Sequence, residues 1–161
     1  NLFFYHIYSP IEFVLYSLYF TNLSMSRETN KFIYLNIPLF LLLTFISTAF
    51  IQKIDVNNGF VTTMASILNI LYCLLYLRHI NIYQIADRAE RNPFFWVTIG
   101  ILFYSTGYLF VEGFLNLLLE ISIDTARFYY KMGFLFKYVM CIMFLVGILI
   151  RKPSDALQTK G

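Results

Sequence analysis

Three ionisable side chains lie well inside long apolar stretches of this sequence: Glu12, Glu112 and Lys137. A charged side chain at the centre of a membrane-spanning helix costs about 2.5–3.5 kcal/mol on insertion scales, so such residues usually pair with one another or face water. A carboxylate in that position can bind a ligand or carry a proton, and a lysine can serve as its counter-ion. The alternative is a buried ion pair that only fixes how the helices pack.

Other polar residues recur at helical spacing in the same stretches. Glu12 belongs to one such series, and the third apolar stretch contains another that includes Asn69; spacings of three and four residues place each series on one helix face. The sequence predicts a polar pocket in the outer half of a membrane, and the alternative is that these residues only join helices. The pocket would be built around Glu12, Asn69, Glu112 and Lys137 and lined by Tyr8, Tyr16 and Tyr108, with Cys141 on the same face as Lys137.

Sequence motifs for enzymatic chemistry are missing. The sequence has no zinc-protease, serine-hydrolase, phosphate-loop or dinucleotide motif, so we expect no enzyme and no cofactor. His6 and Glu12 are six residues apart, which does not suit a metal site on one helix face, and His79 belongs to the other side of the membrane. A Schiff-base chromophore on Lys137 is disfavoured, because five spans are too few.

The composition and the long apolar segments predict the helices that position these residues. Of the 161 residues, 59% are hydrophobic and 13% are charged, whereas soluble domains have about 25% charged residues. The net charge of +3 is scattered, which argues against nucleic-acid binding. A spanning helix needs about 20 apolar residues, and five segments qualify. The sequence thus predicts an all-α transmembrane bundle, a single domain over 1–161, with helices at about 2–22, 32–52, 59–79, 93–118 and 128–150.

The distribution of basic residues predicts the orientation. Eight Lys and Arg residues fall on one side of these segments and three on the other, and the richer side should be cytoplasmic. The C-terminus would then be inside, as in a bacterial inner-membrane protein. Because the chain begins at Asn1 and is apolar from Leu2, we expect one or two further helices before it. Glu12, Glu112 and Lys137 would lie about 15, 9 and 14 Å from the outer ends of their helices.

Two stretches resemble a known group of proteins. Residues 6–13 read HIYSPIEF, and residues 92–107 read NPFFWVTIGILFYSTG. Together they resemble uncharacterised multi-pass inner-membrane proteins of Bacteroidota, which are often found near sensor histidine kinases or resemble their membrane input regions. The residues that match this pattern are Glu12, Trp96, Gly100, Tyr104 and Gly107. The resemblance implies a sensory or signalling accessory role and brings no catalytic or ligand-binding residue with it.

The expected function is therefore non-enzymatic. A small or lipidic ligand in the polar pocket would change the pairing of Glu12 or Glu112 with Lys137, and a cytoplasmic or membrane partner, or a second copy of the chain, would receive the change. Two alternatives remain open at this point. One is a small transporter or ion-translocating subunit that uses the same carboxylates, and the other is a structural subunit of a membrane complex.

Overall fold

The computed structural model describes residues 2–23, 25–51, 59–83 and 89–150. These residues form five α-helices and no strand: α1 (Leu2–Thr21), α2 (Arg27–Ile46), α3 (Gly59–Tyr83), α4 (Pro93–Ile121) and α5 (Ile123–Ile150). A π-helical turn, Ser47–Ile51, continues α2, and a 3-10 turn, Ala89–Arg91, precedes α4. The predicted all-α class is confirmed.

Four of the five helices are long and apolar enough to cross a membrane. The four stretches are Arg27–Ala49, Gly59–Ile82, Pro93–Leu115 and Ile123–Ile150. They support a membrane protein built as a helical bundle with a lipid bilayer around it. The first helix, α1, is not among them, because its 20 residues include Glu12, His6 and several tyrosines.

Three helix boundaries differ from the prediction. Helix α2 begins at Arg27 rather than near residue 32, because the Ser26 side chain caps it by accepting a hydrogen bond from the Thr29 amide (3.2 Å). Helix α3 continues to Tyr83, beyond its predicted end near residue 79, and residues 84–88 lie outside the described ranges. Helix α5 begins at Ile123 rather than near residue 128, so Ser122 alone separates it from α4.

The start of α4 is fixed as its sequence predicts. The Asn92 side chain accepts a hydrogen bond from the Phe94 amide (2.9 Å), and Pro93 occupies the first turn, where its missing N–H costs nothing. The Trp96 indole N–H donates to the Glu90 carbonyl (2.8 Å) and ties this helix end to the preceding turn.

Helices α4 and α5 form a closely packed antiparallel hairpin, as the short connection predicts. Three glycines allow the two backbones to approach: a Cβ added at Gly100 would meet Met143, one at Gly107 would meet the Phe136 ring, and one at Gly147 would lie 2.9 Å from the Pro93 carbonyl. Helix α4 also packs against α3. The hairpin is therefore the most tightly joined pair of helices in the described bundle.

Helix α1 packs differently. Its backbone lies close to α2 and α3, where the Phe13 and Phe40 rings are 4.0 Å apart between centroids and Phe20 contacts Tyr72. It meets α4 and α5 mainly through long side chains. One of these is Tyr19, whose hydroxyl donates to the Phe94 carbonyl (3.3 Å).

The close contact at Gly107 gives a test of the hairpin. Gly107→Ala places a methyl group on the Phe136 ring, and overpacking of this kind costs about 1–3 kcal/mol. We expect a lower thermal midpoint for the purified protein in detergent. Gly113→Ala is the matched control on the same helix, because a Cβ there meets nothing within 4 Å. Equal midpoints for the two variants would contradict the close packing of α4 on α5.

Candidate functional site

The site begins at Glu12, in the middle of α1. Tyr8 and Tyr16 lie four residues before and after it, which brings all three to one side of the helix. Both tyrosine hydroxyls donate to the Glu12 Oε1 atom, each at 3.1 Å. Two donors from its own helix therefore hold one oxygen of this carboxylate.

Two further residues connect Glu12 to α4 and α5. The Tyr104 hydroxyl of α4 donates to Glu12 Oε2 over 3.5 Å, which is long for a hydrogen bond. The Lys137 ammonium of α5 donates to the Tyr8 hydroxyl at 3.1 Å and lies 4.9 Å from the centre of the Tyr8 ring. We name these five side chains, Tyr8, Glu12, Tyr16, Tyr104 and Lys137, the carboxylate network.

Tyr8 is the link between the acidic and the basic residue. Its hydroxyl accepts from Lys137 and donates to Glu12, so a continuous hydrogen-bonded chain runs from α5 to α1. The predicted pairing of Glu12 with Lys137 thus runs through a tyrosine. A hydrogen bond with one charged partner is about twice as strong as one between neutral groups.

A small cavity lies beside the network, between α1, α3 and α4. Its volume is about 20 Å³, and we name it the inner cavity. Glu12 and Ser9 of α1, Asn69 of α3 and Ser105 of α4 line it. Its wall also includes Phe13, Thr62, Ala65, Ser66, Tyr104 and Tyr108.

A second cavity, which we name the outer cavity, adjoins the first. Its volume is about 40 Å³, and Lys137, Tyr130 and Gly133 of α5 line it together with Tyr8 and Phe134. Tyr104 and Tyr108 line both cavities and form part of the wall between them. Glu12 thus borders one cavity and Lys137 borders the other.

The structure brings together most of the predicted site residues. Glu12, Asn69 and Tyr108 share the inner cavity, and Lys137 lines the outer cavity with Tyr108. Glu112 is buried on α4, with 6% of its surface exposed, and it lines neither of these two cavities. The polar series on α3 faces inward as predicted, because Ser66, Asn69, Cys73 and Tyr76 are all buried.

The prediction for Cys141 is wrong, and one important residue was not selected. Cys141 is exposed on α5 rather than facing inward, since the buried side of this helix passes through Gly133 and Met140. Tyr104 was expected only to match the resembled pattern, yet it donates to Glu12. Its spacing of four residues from Tyr108 and eight from Glu112 was the available signal.

Among the residues that the structure describes, no three His, Cys, Asp or Glu side chains are placed to hold a metal ion together. The sequence and structure were compared with family models, curated proteins and solved structures, and none of the three comparisons gave a match.

A double-mutant cycle tests the contact between Glu12 and Tyr16. Glu12→Leu and Tyr16→Phe each remove one side of the hydrogen bond, so their effects on the free energy of unfolding should not add. We expect a coupling of about 0.5–3 kcal/mol, as for residues in contact. The control pairs Glu12→Leu with Tyr138→Phe, an exposed tyrosine of α5. If the effects of Glu12→Leu and Tyr16→Phe on the free energy of unfolding add as fully as those of the control pair, the two side chains are not in contact.

Proposed function

We propose that α1 also crosses the membrane and that the chain has five spans with its C-terminus in the cytoplasm. The distribution of α1 side chains supports this. Its exposed large side chains include Ile7, Ile11, Leu15 and Leu18, whereas Ser9 and other polar residues of the helix are buried. A helix of a soluble bundle buries its large apolar side chains and exposes its polar ones. A surrounding lipid bilayer accounts for the reverse arrangement in α1.

We further propose that the protein is a non-enzymatic sensory or signalling accessory of a bacterial inner membrane. The single observation that carries this proposal is the way Glu12 joins α1 to the α4–α5 hairpin. The connection depends on side chains, Tyr104 from α4 and Lys137 through Tyr8, while the hairpin itself is held by close backbone contact. A change at Glu12 can therefore move α1 against the hairpin without disturbing the hairpin.

A ligand can shift the equilibrium between two positions of α1 against the hairpin, by as much as its affinities for the two positions differ. Hydrogen bonds to a charged group contribute about 1.5–3 kcal/mol each. A ligand that replaces one or two of the donors of Glu12 would change the balance by a factor of ten or more. The change would pass to a cytoplasmic or membrane partner, or to a second copy of the chain.

The size of the cavities favours a small polar ligand over a lipidic one. Pockets for drug-sized ligands have volumes of about 300–1,000 Å³, whereas the inner and outer cavities measure about 20 and 40 Å³. A water-sized solute or an ion fits such a space. The resemblance to membrane input regions of sensor kinases agrees with this role and is part of the same proposal.

The proposal is tested by the distance between α1 and α5 in lipid nanodiscs. Spin labels at Leu18 of α1 and Leu145 of α5, both exposed, report this distance once the exposed Cys141 has been replaced by serine. We expect Glu12→Gln to change the distance distribution, because the neutral side chain holds its donors less strongly. Glu28→Gln, which neutralises an exposed carboxylate of α2, should leave it unchanged.

A second label pair separates movement of α1 from general loosening. Phe103 of α4 and Leu145 of α5 are both exposed and report the hairpin alone. This distance should be the same in the wild type and in Glu12→Gln. Identical α1–α5 distances in the wild type and in Glu12→Gln would reject the sensory mechanism.

One observation favours a second candidate function, the translocation of protons. The chain from Lys137 through Tyr8 to Glu12 connects the two cavities by hydrogen bonds. Proton flux into proteoliposomes that is lost in both Glu12→Gln and Tyr8→Phe would support this function. A sensor predicts no flux in any of these proteins.

A further inference from the structure

Two residues that line the inner cavity each have a buried side-chain oxygen without a hydrogen-bond partner in the described residues. These are Asn69 Oδ1 and Ser105 Oγ, and both residues are almost completely buried, with exposed fractions of 5% and 1%. Buried polar atoms are nearly always hydrogen-bonded, because leaving them unsatisfied costs free energy. Two such atoms on one small cavity indicate that the cavity holds a partner for them.

Glu12 contributes a third oxygen with spare capacity. Its Oε1 atom accepts from Tyr8 and Tyr16, whereas its Oε2 atom accepts only the long hydrogen bond from Tyr104 among the contacts described above. An ionised carboxylate oxygen can accept more than one such interaction. Three helices thus supply a carboxylate, an amide carbonyl and a hydroxyl to the same small space.

We propose that the inner cavity binds a single monovalent cation of sodium size. Hard cations prefer carboxylate, carbonyl and hydroxyl oxygens, and Ser9 and Ser66 add two more hydroxyl groups to the wall. The cavity measures about 20 Å³, whereas about 10–15 Å³ is enough for one water-sized particle. Glu12 carries a single negative charge, so a monovalent ion leaves less excess positive charge in this apolar bundle than a divalent ion does.

Lys137, the lysine of the carboxylate network, is not among the residues that line the inner cavity. Lys137 lines the outer cavity, and its ammonium is hydrogen-bonded to the Tyr8 hydroxyl, which is in turn bonded to the other oxygen of Glu12. The two oxygens of Glu12 therefore have different surroundings. Oε1 belongs to the tyrosine and lysine chain, and Oε2 is available to the cation.

The cation site gives a ligand class to the proposed sensory function but does not depend on it. A cation held by Glu12, Asn69 and Ser105 would tie α1 to α3 and α4. Binding of the ion and movement of α1 are measured separately. Sodium binding without a change in the α1–α5 distance would reject the sensory mechanism and leave the cation site intact.

The test compares sodium chloride with choline chloride, at equal ionic strength, on the purified full chain in nanodiscs. We expect a saturable rise of the thermal midpoint with sodium only, since a ligand that binds the folded state stabilises it. Binding of radioactive sodium, measured on the same samples, gives the dissociation constant. We expect Ser105→Ala to raise this constant at least tenfold.

Ser105→Ala also separates a ligand role from a structural one. Removing an unpaired buried hydroxyl should leave the thermal midpoint in choline unchanged or higher, so a loss of sodium binding cannot be attributed to unfolding. Ser47→Ala is the matched control, because Ser47 is also fully buried, has no hydrogen-bond partner among the described residues and does not line the inner cavity. It should retain the wild-type sodium response.

Two results would overturn the cation site. If sodium and choline give the same midpoints and no radioactive sodium binds to the wild type, the cavity takes up water only. If sodium binds equally to the wild type, Ser105→Ala and Ser47→Ala, the ion binds elsewhere. A selective loss in Ser105→Ala supports the site.

Discussion

A carboxylate among apolar helices has to be surrounded by hydrogen-bond donors, and the arrangement of this bundle follows from that constraint. Glu12 receives two donors from its own helix and one from α4, and Lys137 approaches it through Tyr8. The tyrosines that satisfy Glu12 also lower the hydropathy of α1, which is not among the four described helices that are long and apolar enough to cross a membrane. The same residues thus set both the position of α1 and its polarity.

The α4–α5 hairpin and helix α1 are held in the bundle by different kinds of contact. Helices α4 and α5 approach each other closely at glycines such as Gly107, which lies against the Phe136 ring. Helix α1 packs on α2 through aromatic rings, including Phe13 and Phe40, and reaches the hairpin mainly through long side chains such as Tyr8 and Tyr19. A polar contact can be exchanged for another polar contact, whereas a glycine contact cannot. Conformational change is therefore expected at the carboxylate network rather than inside the hairpin.

Much of the fold could be predicted from sequence, because helix length and spacing are local properties. The start of α4 followed from the residue types, an Asn92 cap before Pro93, and the inward face of α3 around Asn69 followed from spacing. The approach of α1 to α5 could not be predicted, since sequence does not say which helices touch. The exposure of Cys141 and the separation of Glu12 and Lys137 by Tyr8 depend on helix rotation, which tertiary packing decides.

The central claim is that Glu12 is held inside the bundle, within a lipid environment, by tyrosine hydroxyls and by Lys137 through Tyr8. A cryo-electron-microscopy map of the chain in nanodiscs, at a resolution that shows side chains, tests it most directly. The account predicts that Glu12 lies within hydrogen-bond distance of the Tyr8 and Tyr16 hydroxyls, with lipid density against Ile11 and Leu15. A map in which Glu12 and Lys137 point outward on separate sides of the bundle would contradict it.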